Sequence, residues 1–336
     1  MQCLSYRVLG LGLIALFLAA CQPETAPTST TVEPNLPALP PVPLFNGDSA
    51  YAFVAKQVAF GPRVPGSAAH KACGDWMVEK LKSYGATVIE QNAMVTIYSG
   101  QQVPMRNIIA SWQPEKKDRI LLFTHWDSRP FADQDSVRRN EPIDGANDAG
   151  SGTGVLLEIA RQLAEHPTQP GIDLFFNDVE DMGAPREAMG GDQRDSEDSW
   201  CLGTQYWTKN PHVPNYKARY GILLDMVGSK DAVFPKEGYS MRYASGIVNK
   251  VWKAAAAAGH GDRFLSETRN FVGVDDHVYV NENMNIPSID IIAYNPATGG
   301  FPATWHTHAD NLANIDKESL QAVGATVAQT VWTERK

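Results

Sequence analysis

Residues 172–181 constrain the fold more than any other stretch of the chain. An apolar run containing Ile172, Leu174, Phe175 and Phe176 stops at Asn177-Asp178-Val179-Glu180-Asp181. A short, nearly continuous apolar segment reads as a strand buried on both faces, and carboxylates at its end carry charge into a crevice. The pattern recurs twice. Ile120-Leu121-Leu122-Phe123 ends in His125 and Asp127, and Gly221-Ile222-Leu223-Leu224 ends in Asp225. In open α/β sheets, ligands bind in the crevice outside the carboxyl ends of the strands. Three strands delivering acids or imidazoles to one rim point to a metal-dependent enzyme.

The rest of the chain alternates as an α/β protein does. Strands are expected at 119–124, 172–177, 219–226 and 287–293, and helices at 153–166, 203–209, 241–258 and 317–332. Residues 88–98 and 105–112 read as two further strands, antiparallel at the sheet edge. Two helical patterns between 47 and 84 are separated by the break Phe60-Gly61-Pro62-Arg63-Val64-Pro65-Gly66-Ser67. In the helix at 153–166, Val155, Ile159 and Leu163 share one face and Glu158, Arg161, Gln162 and Glu165 the other. In the last helix Asp316 is the expected N-cap, with Leu320, Val323, Val327 and Val331 as the buried stripe. The chain has 336 residues, 43% of them hydrophobic, with 8 Trp, so it can bury a sizeable core. We expect one domain over residues 46–336, with a central mixed, mostly parallel twisted sheet flanked by helices. Residues 182–199 read as a long loop just past the central acids, where a loop of that length is more often functional than idle.

Ahead of this domain, Arg7 precedes an apolar run at 8–20 that is short for a bilayer span. Residues 1–20 therefore read as a signal peptide. It closes on Leu18-Ala19-Ala20-Cys21, which resembles the lipobox of bacterial lipoproteins and makes Cys21 the lipidated residue. Gln22 after it resembles lipoproteins of the outer membrane. Residues 21–45, rich in Pro and Thr, read as a tether. The expected location is the bacterial cell envelope, lipid-anchored at the outer membrane and facing the periplasm. Cys73 and Cys201 remain in the domain; an oxidising compartment permits a disulfide, but their wide separation favours two buried thiols. The formal charge of −9 argues against nucleic acid as partner, because phosphate binding wants a basic surface.

Three residues stand out as metal ligands: Asp148 in Gly145-Ala146-Asn147-Asp148-Ala149-Gly150-Ser151-Gly152, Asp181, and His306 in Trp305-His306-Thr307. Two carboxylates and an imidazole with an open fourth position suit catalytic Zn²⁺. Each has a plainer alternative: a turn former or helix cap for Asp148, a solvated turn for Glu180-Asp181, an ordinary loop histidine for His306. The Gly-rich segment 150–154 is neither a dinucleotide fingerprint nor a phosphate loop.

Taken in order, His125-Trp126-Asp127-Ser128-Arg129-Pro130, Asn147-Asp148-Ala149-Gly150-Ser151-Gly152, Glu180-Asp181, Leu224-Asp225, Asp275-Asp276-His277 and Trp305-His306-Thr307 resemble the zinc aminopeptidase clan. The stronger likeness is to its glutaminyl cyclase branch, bacterial type, to which Trp305 and Ser199-Trp200-Cys201-Leu202-Gly203 also point. The resemblance spans nearly all of residues 46–334. It implies that Asp148, Asp181 and His306 hold one Zn²⁺ and that Glu180 is the general acid/base. Asp225 and Asp276 would form a carboxylate network with Glu180 and raise its pKa by like-charge repulsion. Trp305 and Trp200 would wall the substrate pocket. Many members of that branch carry Glu where this chain has Asp181, a shorter side chain that still offers oxygen.

The implied activity converts the N-terminal glutamine of peptides or proteins to pyroglutamate and releases ammonia. The substrate amine is its own nucleophile, so positioning supplies much of the rate. Two rivals stand beside it. A two-zinc aminopeptidase of the same clan would use His125 and Asp225 on a second ion bridged by Asp148, with His125 and Asp127 otherwise supporting residues. A non-catalytic binding lipoprotein would have no physical need to gather these charges. His277 reads as a supporting or packing residue.

Overall fold

The computed structural model describes residues 41–185 and 198–335. The expected signal peptide, Cys21, the tether up to residue 40 and most of the 182–199 loop lie outside the described residues. Among the described residues no helix is long and apolar enough to cross a membrane.

Two capped helices open the domain. Helix α1, Gly47–Val58, is started by Asn46, whose side chain accepts the Ser49 N–H. Helix α2, Ala68–Ser83, is started by Ser67, which accepts from His70 after the Gly/Pro break. Strands β1, Thr87–Thr96, and β2, Gln102–Trp112, form an antiparallel hairpin. Then follow β3 (Arg119–His125), α3 (Gly150–Glu165), β4 (Gly171–Asn177), α4 (Leu202–Lys209) and β5 (Gly221–Asp225). The chain continues through β6 (Phe234–Glu237), α5 (Gly238–Ala257), β7 (Phe264–Arg269) and α6 (Asp276–Met284). It closes with β8 (Ser288–Ile292) and α7 (Lys317–Trp332). Asp316 caps α7 as expected, accepting the Glu318 and Ser319 N–H groups.

The main sheet has six strands in the order β1-β2-β4-β3-β5-β8. The hairpin is antiparallel to the rest and lies at one edge; β4, β3, β5 and β8 run parallel. The mixed, mostly parallel sheet expected from the alternation is therefore observed. Its central strands are mostly apolar because both faces are covered, and the buried Asp173 of β4 is paired with Arg119 of β3. Ile120, Leu122, Ile172, Leu174, Phe176, Ile222 and Leu224 pack on one face with α1, α3, α5 and α7. The alternate residues Leu121, Phe123, Phe175 and Leu223 pack on the other, against Trp207 and Val280. From β3 the chain passes to β4 on one side and later to β5 on the other. The connection thus reverses at the carboxyl end of β3, where a crevice opens.

Three local features were not anticipated. Helix α3 begins at Gly150, not at 153, so the Gly-rich segment is its first turn. The reason is packing: a Cβ at Gly152 would lie 2.5 Å from the Leu224 carbonyl oxygen, and one at Gly154 would lie 2.8 Å from that of Ala50. Strands β6 and β7 form a small parallel sheet. Only Phe264 of β7 is buried, so no apolar pattern marked it. Helix α6, anchored by an Asp275 side chain that accepts the Asp276 N–H, shows little amphipathic pattern because its buried residues mix Asp276, His277 and Asn281 with Val278 and Val280.

Candidate active site and metal centre

The crevice at the carboxyl ends of β3, β4 and β5 collects the residues singled out from the sequence. His125 ends β3 and Asp225 ends β5. Glu180 and Asp181 lie on the turn beyond β4, where Val179 takes a positive φ of 54°. Asp127 holds that turn: its two carboxylate oxygens accept the Glu180 and Asp181 N–H groups, each at 3.2 Å. Asp148 comes in from the start of α3. The Asp310 carboxylate accepts the Asn147 N–H at 2.7 Å and the Asp148 N–H at 3.1 Å, tying the Asp148 turn to the loop that carries His306.

Asp148, Asp181 and His306 each offer a ligand atom, all within 4.8 Å of one another, and all three are buried. The His306 Nε2 lies 3.3 Å from Asp181 Oδ1 and 3.8 Å from Asp148 Oδ2. The Asp181 Oδ2 is buried and has no hydrogen-bond partner among the described residues. A buried, unpartnered carboxylate oxygen beside an imidazole nitrogen is costly without a cation, and two oxygens with one nitrogen suit zinc. The residues fit the ion. His125, Asp148 and Asp225 form a second such group, with His125 Nε2 2.9 Å from Asp148 Oδ1 and 3.4 Å from Asp225 Oδ1. The two groups share Asp148.

Glu180 borders both groups, its side chain 13% exposed and its Oε2 3.9 Å from His125 Nε2. Its carboxyl is held well above the ordinary glutamate range, by burial first and then by Asp181, Asp276 and Asp275, with His125 opposing. Repulsion from Asp276 was expected, and Asp181 and Asp275 add to it. Asp225 is itself raised to about 6, by burial and by Asp148 and Asp181 against the pull of His125. Burial alone would lower the His125 imidazole, but Asp127, Asp148, Asp225 and Glu180 outweigh it and raise the pKa well above 6.5.

Asp276 is among the acids that raise Glu180, as inferred, and Asp275 joins it. Asp276 sits under the site, where its Oδ2 accepts the Asn177 amide at 2.5 Å. Asp275 is the one that reaches the cavity, grouped with Glu180 and Cys201. The Cys201 thiol lies 3.3 Å from Glu180 Oε1. Cys73 and Cys201 are both buried and unpaired, as their separation suggested. His277 is fully buried, 3.1 Å from Glu237 Oε2.

A cavity of about 190 Å³ opens onto these groups. One side is acidic: Asp148, Glu180, Asp181, Asp225 and Asp275. The other is apolar: Trp200, Met226, Val272, Ile292, Phe301 and Trp305. Both expected tryptophans thus line it. The Trp305 ring stacks on His306 at 3.8 Å between centroids, and Trp200 lies nearly parallel to the same imidazole at 5.9 Å. Such a cavity is below the roughly 300–1,000 Å³ usual for ligand sites, which restricts it to about one side chain.

Arg129, Asp133, Asp275 and Asp310 were given no role from sequence. Arg129 lay inside a quoted motif, and Asp275 beside Asp276. Asp133 and Asp310 carried no signal, since each is joined to the site only through the folded chain.

A fold with acids and imidazoles converging on a metal centre at the sheet's carboxyl edge defines a zinc-peptidase-like enzyme. The chain belongs to peptidase family M28, whose family model matches residues 107–331. Among solved structures it is similar to the glutaminyl cyclase of Bacteroides thetaiotaomicron bound to N-acetylhistamine, with 49% identity and a TM-score of 0.84. That match covers 88% of this chain and all of that one. The glutaminyl cyclase of Porphyromonas gingivalis is 51% identical, with a TM-score of 0.81, covering 85% of this chain and 98% of that one. A protein of Parabacteroides distasonis described as a Zn-dependent exopeptidase is 53% identical, with a TM-score of 0.84, covering 88% and 100%. Among curated relatives, an aminopeptidase of Bacillus subtilis is 29% identical over 234 residues, 68% of this chain but 44% of that protein.

Proposed function

We infer that the chain is a glutaminyl-peptide cyclotransferase, which closes the N-terminal glutamine of peptides or proteins to pyroglutamate and releases ammonia. The observation that carries this reading is the small, aromatic-walled cavity with Glu180 at its acidic side. It has room for about one terminal side chain, held between that acid and a wall of Trp200, Phe301 and Trp305. An intramolecular acyl transfer needs the substrate folded on itself and kept dry, whereas a hydrolase needs water at the reacting carbon.

Asp148, Asp181 and His306 would hold one Zn²⁺, which when bound supplies a Lewis acid for the side-chain carbonyl of the substrate. Trp305, Trp200 and Phe301 enclose the glutamine side chain and hold it in the bent form in which its α-amine faces its own amide carbon. Glu180 takes a proton from the amine as the new C–N bond forms and gives it to the nitrogen that leaves as ammonia. A carboxyl held above its usual range by burial and by neighbouring acids is suited to both transfers. Burial and the neighbouring Asp181, Asp276 and Asp275 raise the proton affinity of Glu180, which favours its taking the proton from the amine.

A two-zinc aminopeptidase is the second reading, favoured by the additional ligand group His125, Asp148 and Asp225. Incubation of the purified protein with a Gln-initiated peptide, followed by mass spectrometry and zinc analysis, separates them. Loss of one ammonia with the peptide bond intact and one zinc per chain supports the cyclase; release of free amino acid with two zinc ions supports the peptidase.

We also propose that the chain is lipidated at Cys21 and tethered to the outer membrane, facing the periplasm, because Leu18-Ala19-Ala20-Cys21 has the composition of a lipobox. Cys21→Ser should move the protein from the membrane to the soluble fraction. Unchanged membrane fractionation would sink this assignment.

A further inference from the structure

Arg129 is wholly buried next to the metal centre, and no step of the chemistry above uses it. Each of its three nitrogens is hydrogen-bonded. The Nε and Nη2 donate to the two oxygens of Asp133 at 2.7 and 3.0 Å. The Nη1 faces Asp181 Oδ1 at 3.2 Å, with the main-chain oxygens of Asp181 and Gly183 at 3.1 and 3.4 Å. Both carboxylates lead to the ligand set. Asp181 is a ligand candidate, and contact at Oδ1 leaves Oδ2 as its unpartnered oxygen. Asp133 Oδ1 lies 2.9 Å from His306 Nδ1, the ring nitrogen away from the ligand group.

From these contacts we propose that Arg129 is a positioning residue: its planar fork sets the orientation of Asp181 directly and of His306 through Asp133. This rests on the zinc-dependent reading of the site. Ligating imidazoles generally hold their second nitrogen on a carboxylate that fixes the ring. Here the carboxylate is itself held bidentately, so one side chain orients two of three ligands. The guanidinium also lies 4.7 Å from the Trp200 ring, which in turn packs on Gly183 and the imidazole, so the pocket wall shares the same anchor.

Two effects of Arg129 on zinc binding have opposite signs. Its positive charge repels a second cation, which weakens binding. Its geometry preorganises the ligands, which strengthens binding. Arg129→Lys separates them, since lysine keeps the charge but is a point donor that cannot reproduce the bidentate fork.

The test measures zinc affinity of the full-length protein by competition with a chromophoric chelator, without substrate, with folding checked by circular dichroism. Arg129→Lys and the near-isosteric Asp133→Asn should each lose roughly 10–100-fold in zinc affinity. The double variant should lose less than the product of the two losses, because both act through one route. Wild-type or tighter zinc binding in either folded variant overturns the proposal, as do fully multiplicative losses. If Arg129→Lys fails to fold, Asp133→Asn alone decides. Because no turnover is involved, a wild-type protein without cyclase activity would overturn the functional reading and leave this result standing.

Discussion

Replacing Gly152 with alanine sets two physical effects against each other within one helix. Helix propensity favours Ala over Gly by roughly 0.8–1.0 kcal/mol, so local preference predicts stabilisation. The tertiary structure predicts the reverse. A Cβ there would lie 2.3 Å from the Thr124 hydroxyl and 2.5 Å from the Leu224 carbonyl oxygen. Thr124 could rotate, but Leu224 is backbone of β5, paired with Ile291 of β8, and backbone yields far less readily than a side chain. Overpacking of this kind costs roughly 1–3 kcal/mol, and contact with immobile backbone belongs at the upper end. The net expectation is destabilisation by about 1–2 kcal/mol. The site should suffer too, because α3 starts two residues after Asp148 and Leu224 precedes Asp225. Pushing the helix away displaces Asp148 from Asp181 and His306, and zinc content should fall. Gly246, exposed in α5, is the internal control, since a Cβ there meets nothing within 4 Å. Gly246→Ala should stabilise by up to about 1 kcal/mol. Urea midpoints of both variants against the parent provide the assay, read at unchanged slope. If Gly152→Ala matches or exceeds the parent in midpoint and keeps full zinc, the close packing of α3 on the sheet is not what positions Asp148.

Four other outcomes follow from the geometry. Glu180→Gln should lower kcat by roughly 10²–10⁴-fold with zinc content unchanged; parallel loss of metal would contradict the division of roles between Glu180 and Asp181. Only the neutral α-amine can attack, so kcat/KM should fall on acidification through the α-amino range near pH 7.7–8.0, and a flat profile there argues against amine attack. Asp310→Ala orphans two buried N–H groups at roughly 1–3 kcal/mol each, and a loss below about 1 kcal/mol in urea unfolding would show that water replaces the clamp. Burial would raise Glu237, but contacts with His277, Ser240 and Tyr239 prevail and hold it below its ordinary 4.5. Its stabilisation is therefore present above that value and lost as pH falls below it. Glu237→Gln should accordingly flatten the acid limb of stability measured between about pH 5 and 3, and an unchanged limb would refute the assignment.

How much of the molecule was legible depends on the range of the interaction. The central strands were, because burial on both faces leaves an apolar run that needs no knowledge of partners. Helix α7 was, because its cap and stripe lie within a few residues of each other. Strand β7 and helix α6 were not, since one is mostly exposed and the other has little amphipathic pattern. The ligand candidates were visible because acids at strand ends break an apolar pattern abruptly. The reach of Asp275 into the cavity was not, because adjacent residues differ only in which way the folded turn aims them.

By itself, then, the amino-acid sequence determined the strands of the main sheet and the larger helices, the sheet's mostly parallel order and most of the groups gathered at its rim. These follow from periodicity and composition over short windows. Only the tertiary structure decided how those groups are held. Asp310 reaches Asn147 across 163 residues and Arg129 reaches Asp181 across 52. Gly152 is required by the Leu224 carbonyl against its own helix propensity. Such contacts depend on which surfaces meet when the sheet and helices pack, and no local pattern of side chains encodes that meeting.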